Sequence, residues 1–349
     1  MAAPRRAPPR PPAVARVLER VTKTVRAHDL FEPGDTVLAC VSGGPDSVCL
    51  LESLVRLRRL HRIGVEAFHF DHGLRPDSRE DARYVRRRCE RLAVPLHIRV
   101  AADGPPKGSS IEAWASSVRL EAANEVAREL DAQDIAEGHT LDDQAETVLL
   151  NIVRGTGLEG VAGILPRGGD PPVRIVQPLL EVRRDEVEAF CRALHLRPRR
   201  DPMNEDRRLL RAAIRHDVLP AIERAVGRDV KGPIARTAEN LRADRHELDR
   251  MTVLALGGVV EGERGRSVRF DVEGLLALSP VLAARVIRMG IHNLLSSDEA
   301  APWTKDAIDA VLDLARGRPG RRRDLPNGST AVRERGYVRV LPAPPSPGG

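Results

Sequence analysis

The chain has 349 residues, 42% hydrophobic and 30% charged, with a formal net charge of +6. That composition reads as soluble and globular, with length for two domains and a sizeable core in at least one. Four scattered cysteines (Cys40, Cys49, Cys89, Cys191) with no Cys-x-x-Cys pair speak against a disulfide framework or a zinc site and fit a reducing, cytoplasmic setting.

No apolar run reaches spanning length, so no membrane is expected, and Met1–Pro12 lacks the apolar stretch of a signal peptide. Nearly all basic residues are arginine, with lysine only at 23, 107, 231 and 305. Arginine suits bidentate phosphate contacts. A polyanionic partner and an arginine-biased proteome explain the charge equally well.

In chain order, residues 1–13 are Pro/Ala/Arg-rich and 343–349 Pro/Gly-rich, and both are expected to be disordered tails. The pattern Val14, Val17, Leu18, Val21, Val25 predicts a helix leading into a first strand at 35–42. Further strands are expected at 65–70, 96–100, 134–138 and 173–176. Helices are expected over 78–92, 110–130, 141–153 and 184–194. This alternation predicts an α/β fold, a doubly wound parallel sheet whose ligands bind beyond the carboxyl ends of the strands.

Past Pro220 the pattern changes. A long charged helix (Ile234 to about Leu256) precedes helix signals at 274–278, 280–295 and 304–316. A hairpin across Asn327-Gly328 follows, its second strand running to Val340. The expected division is a catalytic domain at 14–225 and a second, smaller, mostly helical domain at 226–342. The string Gly155-Thr156-Gly157-Leu158-Glu159-Gly160 fits a dinucleotide fingerprint, but a helix precedes it and no convincing helix opens from it. It reads as a helix stop and a loop.

The most informative stretch is Ser42-Gly43-Gly44-Pro45-Asp46-Ser47, between the first strand and a helix. Unpaired N–H groups at a helix start, two glycines and two hydroxyls make a phosphate cradle. Asp46 cannot attract a bare phosphate, so its carboxylate points to Mg²⁺ bridging it to a nucleotide. The loop lacks the spacing and lysine of a Walker loop.

The second stretch is His139-Thr140-Leu141-Asp142-Asp143-Gln144-Ala145-Glu146-Thr147. Asp143 and Glu146, three apart, share one helix face. They could bind a metal or an ammonium group, or form a capped, solvated acidic first turn. His69, Asp71 and His72 are candidates for a metal or for the pocket wall. Arg207, Arg208, Arg211 and Arg215 are candidates for tracking an RNA backbone or for a solvated helix face.

The loop at 42–47 resembles that of the N-type ATP pyrophosphatases, the PP-loop superfamily. Asp71-His72-Gly73-Leu74-Arg75, Gly138-His139, Asp142-Asp143-Gln144-Ala145-Glu146-Thr147, Arg154-Gly155-Thr156-Gly157, and Asp201-Pro202-Met203-Asn204 with Arg211 and Arg215 carry the resemblance further. With them the chain resembles the tRNA(Ile)-lysidine synthetases, continuously over about 35–220 and more weakly beyond.

The resemblance implies an adenine nucleotide alpha hydrolase-like fold with ATP and Mg²⁺ as cofactors. It implies adenylation of the wobble cytidine of a CAU-anticodon tRNA(Ile), then attack by free L-lysine that releases AMP. Ser42, Gly43, Gly44, Pro45, Asp46 and Ser47 would hold ATP, and Asp46 the metal. Arg119 would lie near the phosphates or target base. His139, Asp143 and Glu146 would serve lysine and the reacting cytidine. His69, Asp71, His72, Arg154, Arg211 and Arg215 would line the pocket or touch the tRNA, and the C-terminal domain would bind tRNA.

The chain departs from the family pattern at Ser116, Leu120 and Met203. A homodimer is compatible with the sequence, which carries no signal for oligomeric state. The rival readings are another PP-loop enzyme, such as a tRNA thiolase or an amidotransferase-type synthetase, and a non-catalytic nucleotide-sensing RNA-binding protein. A thiolase needs paired cysteines, and the sequence offers none.

Overall fold

A computed structural model describes residues 10–73, 78–106, 111–169, 173–199, 210–263, 266–295, 304–325 and 328–343. Leu74, Arg75, Asp201-Pro202-Met203-Asn204, Arg207, Arg208 and Asn327 lie outside them, as do 1–9 and 344–349. The chain divides into two units, Met1–Leu241 and Arg242–Gly349.

The apolar stripe Val14, Val17, Leu18, Val21, Val25 is the buried face of α1 (Pro12–Ala27). The helix starts at Pro12, where a missing N–H costs nothing, so residues 12 and 13, expected in the N-terminal tail, belong to the helix. In β1 (Thr36–Cys40) the side chains alternate between two cores. Val37 and Ala39 pack with α1, α2 (Pro45–His61) and α7 (Arg184–Ala193). Leu38 faces the cluster of Ala123, Val126 and Ala127 on α4 (Ile111–Glu129). Burial on both faces is what makes this strand read as a continuous apolar run.

The sheet has six strands in the order β3-β2-β1-β4-β6-β5. These are β2 (Gly64–Asp71), β3 (Leu96–Val100), β4 (Asp134–Ala136), β5 (Arg167–Gly168) and β6 (Arg174–Val176), with α3 (Ser78–Leu92) between β2 and β3. All pairs are parallel except β5–β6. The two-residue antiparallel edge at β5 was not legible from the pattern. Val37 pairs Val65 on one side and Asp134 on the other. The winding therefore reverses between β1 and β4, and a crevice opens between the segments that leave those two strands.

Between β4 and β6 lie α5 (Leu141–Val153) and a four-residue α6 (Leu158–Val161), with Gly157 as N-cap. A short helix does open from the glycine string, but no strand precedes it, and Gly155 has φ +70°. Farther on, α8 (Leu210–Ala213), a π turn (Ile214–Val218) and α9 (Leu219–Val226) precede α10 (Lys231–Val259), which is longer at both ends than expected.

The second unit holds a five-stranded antiparallel sheet in the order β7-β8-β11-β10-β9. Its strands are β7 (Val260–Glu263), β8 (Ser267–Asp271), β9 (Arg322–Asp324), β10 (Thr330–Arg333) and β11 (Tyr337–Leu341). Val268, Phe270, Ala331, Val338 and Val340 face α12 (Pro280–Leu295) and α13 (Lys305–Arg316) in one core, beside the short α11 (Val272–Ala277). The strand expected to run unbroken to Val340 is two strands. The chain reverses between them, and Gly336 takes φ +89°, open only to a residue without Cβ. Among the described residues, no helix is long and apolar enough to cross a membrane.

Candidate active site

The segment leaving β1 turns through Gly43 (φ +95°) and enters α2 with Gly44 as an extended N-cap that has no side-chain cap. The Gly43 N–H donates to Ser47 Oγ at 3.1 Å, and Ser47 Oγ donates to Gly44 O at 3.0 Å. The Ser47 hydroxyl thus braces the cradle from within. Gly138, beyond β4, packs on its floor: a Cβ there would lie 3.2 Å from the carbonyl carbon and oxygen of Asp46. A methyl at that approach fits only if the Asp46 backbone gives by a few tenths of an ångström.

Asp46 sits in the first turn of α2 with Oδ1 buried and without a hydrogen-bond partner. Burial, then the charge of Asp143, push its pKa up to about 7, against the pull of Arg184 and Arg215. The lone acid of the loop and the acidic face of α5 therefore feel each other across the crevice.

On α5 the acids are capped but not solvated. Thr140 and Asp143 form a reciprocal capping box, with Thr140 N–H donating to Asp143 Oδ2 at 2.9 Å. Asp142, Asp143 and Glu146 are 5%, 7% and 1% exposed. Four cations neutralise them. Arg184 reaches Asp143 at 2.9 Å and Glu146 at 3.0 Å, and Lys231 reaches Asp142 at 2.8 Å. Arg215 holds Glu146 at 2.7 Å and Asp143 at 3.3 Å, while Arg211 lies 3.4 Å from each. Burial pushes the Asp143 carboxyl up, but Arg184, Arg211, His139 and the Thr140 hydrogen bond outweigh it, and its pKa falls to about 2.

Of the other candidates, His139 is part of a directed chain. Gln177 Nε2 donates to Glu137 Oε2 at 3.0 Å, which leaves Gln177 Oε1 to accept from His139 Nδ1–H at 3.0 Å. The His139 Nε2 lone pair is then free to take a proton. Arg119 lies 3.8 Å from Glu137, on the other side of that carboxylate.

His69 is buried and its Nδ1–H donates to Val41 O at 2.7 Å, so it braces the strand ends. Asp71 accepts from Gly73 N–H at 2.9 Å, and His72 packs edge-on against Phe70 and near Trp114. Among the described residues no group of three or more His, Cys, Asp or Glu is arranged to hold a metal. Arg154 is exposed at the C-cap of α5. Arg211 and Arg215 sit in the acid cluster, with neither group on a solvated face.

Sequence reasoning missed Arg184, Lys231, Glu137 and Gln177. Arg184 did carry a signal: a cation in the first turn of a helix opposes the dipole and calls for an acidic partner.

Magnesium prefers one or two carboxylates plus substrate phosphates and water to an all-protein cage. A single buried, unpartnered Asp46 oxygen beside a phosphate cradle fits that preference. Burial favours the neutral form of the four thiols, which is the less nucleophilic one. Burial pushes Cys40 and Cys191 up to about 12 and Cys89 to about 11, and it raises Cys49 well above the ordinary thiol range.

The topology and the loop define a PP-loop ATP-binding protein, and residues 14–222 match the PP-loop domain family. Residues 270–339 match the TilS substrate binding domain. The tRNA(Ile)-lysidine synthase of Salinispora tropica is 37% identical over 337 residues, which cover 94% of this chain and 98% of that relative. The enzyme of the same name from Symbiobacterium thermophilum is 36% identical over 321 residues, 89% of this chain and 66% of the relative. The chain belongs to the tRNA(Ile)-lysidine synthase family.

It spans about two thirds of the length of the Symbiobacterium relative and 61% of the Clostridioides difficile one. In fold alone it is similar to the U34-tRNA thiolase NcsA from Methanococcus maripaludis, with TM-score 0.57 and 21% identity, covering 66% of this chain and 78% of that one.

Proposed function

We propose that the chain is an ATP-dependent ligase that joins lysine to C2 of the wobble cytidine of a CAU-anticodon tRNA(Ile), releasing AMP and pyrophosphate. The observation that carries this reading is the facing of two unlike elements across one crevice: the phosphate cradle with its unpartnered Asp46, and the arginine-bound acids of α5. In the first step the cytidine O2 attacks the α-phosphorus and pyrophosphate leaves. The N–H groups of the cradle and the start of α2 hold the phosphates. Asp46 would hold Mg²⁺, which when bound neutralises charge developing on the phosphates.

In the second step the lysine amine attacks C2 and the C2–O bond to AMP breaks. The amine must arrive neutral, and the His139 Nε2 lone pair can accept its proton. Asp143 and Glu146 steer the ammonium form. The contacts of Asp143 to Arg211 and Arg215 (3.4 and 3.3 Å) are longer than that to Arg184 (2.9 Å), so those are the partners an ammonium group can replace. The inert thiols speak against a thiolase or a cysteine-dependent glutaminase at this site.

The test is incubation with ATP, Mg²⁺, labelled lysine and a CAU-anticodon tRNA(Ile) transcript. Label is expected in the tRNA, dependent on the wobble cytidine. No incorporation, or incorporation into a transcript lacking that cytidine, overturns the proposal.

A further inference from the structure

A second strongly charged feature of the first unit lies away from the acid cluster. Helix α3 carries six arginines in fifteen residues. Arg83, Arg87 and Arg91 recur every fourth position, so they stand on one face and span about 12 Å of helix. They line a groove of about 560 Å³ whose opposite wall is His195, Leu196, Arg197 and Arg199. Arg88, also in the wall, is bound to Glu52, and Arg199 to Glu80 and Asp81 at 3.0 and 2.9 Å.

Arg83, Arg87, Arg91 and Arg197 make no ion pair among the described residues. Four uncompensated guanidiniums gathered in one groove repel each other, which disfavours the fold unless an anion is brought in. The groove also touches the phosphate cradle. Arg199 N–H donates to Gly43 O at 2.9 Å, and Tyr84 and Val85 of α3 lie against Gly43.

We propose that this groove binds the phosphodiester backbone of the tRNA substrate, as a sequence-blind contact separate from the reacting base. The proposal rests on the ligase reading above. Arginine rather than lysine favours bidentate phosphate contacts over a diffuse attraction. The roughly 6 Å rise between successive arginines presents separate forks to a chain of phosphates rather than to one ion. The groove's two rings are the half-buried Tyr84, which packs on Gly43, and the exposed imidazole of His195, too few to stack a run of bases, so the contact is chiefly with the backbone.

The experiment measures tRNA affinity of the full chain by fluorescence anisotropy across about 50–200 mM salt. It compares wild type, the triple variant R83Q/R87Q/R91Q, the charge-keeping R83K/R87K/R91K, and R16Q/R26Q/R59Q, which removes equal charge elsewhere. The glutamine variant is expected to bind about tenfold or more weakly, with a salt slope shallower by about 2. The loss should be equal for an unrelated tRNA, with ATP affinity unchanged and the melting temperature equal or slightly higher as the repulsion is relieved. The lysine variant should regain the slope, and the control should match wild type.

A glutamine variant that binds tRNA like wild type overturns the groove and leaves the ligase reading intact. An equal loss in the control overturns it in favour of general charge. Wild type that binds no tRNA overturns both proposals.

Discussion

Two acidic regions meet in the same crevice and are built in opposite ways. Asp46 is one carboxylate with a buried oxygen and no hydrogen-bonding partner for it, its pKa raised to about 7. Asp142, Asp143 and Glu146 are three carboxylates held by Arg184, Arg211, Arg215 and Lys231, and Asp143 is lowered to about 2. Asp46 is the less buried of the two and yet the more raised, so depth alone does not set their charge state. Compensation does. The uncompensated acid is the one a cation would relieve, while the compensated ones can exchange partners without leaving a bare charge in the protein.

The sharpest way to break this contrast is Asp46→Asn. Lysine incorporation is expected to fall at least about 10³-fold, the scale of losing a group that stabilises charge in the transition state. Stability should move the other way. With a folded pKa near 7 against an ordinary 3.8, the Asp46 contribution is intact below about pH 4 and is lost as pH rises through 7. Melting curves should therefore coincide near pH 4, with the variant melting higher at pH 8. A variant that melts lower at pH 8 would make Asp46 a structural acid.

Arg184→Met attacks the other region and should destabilise by about 2–3 kcal/mol in urea titration. That is below the roughly 3–5 kcal/mol of a fully broken buried pair, because Arg211 and Arg215 remain. Here the sign reverses. Asp143, lowered to about 2, contributes stability that is present above about pH 4 and lost as pH falls through 2. The penalty of the variant should shrink on acidification, and a constant penalty from pH 6 to 3 would show that Arg184 acts by packing alone.

Gly138→Ala is the mildest probe. A methyl 3.2 Å from the Asp46 carbonyl must displace the cradle. ATP affinity should drop about tenfold by calorimetry, in line with the 1–3 kcal/mol cost of overpacking. The urea midpoint should fall modestly, by no more than that overpacking cost.

The first unit was largely legible because its signals are local. Val37 to Val41 is an unbroken apolar run ending in glycines, and α5 begins at a threonine cap three residues before Asp143. Its partners were not. Arg184 lies 38 residues from Glu146 and Lys231 lies 89 from Asp142. No periodicity or spacing links residues that only the tertiary fold brings together.

Of the second sheet only the hairpin near its C-terminal end was legible, for a related reason. Its strands are three to five residues long, too short for alternation to stand out from helix signals on either side. Phe270 shows its role only when β8 lies between β7 and β11.

The π turn at Ile214–Val218 closes one residue later than an α turn. Arg211 precedes it and Arg215 lies inside it, so the aim of the two guanidiniums is fixed by a count of backbone units as much as by side-chain choice. Removing one residue beyond Arg215 would wind the coil tight and swing everything downstream by about 100° around its axis. Insertions and deletions in this short span are therefore a lever on which acids stay latched, out of proportion to their size.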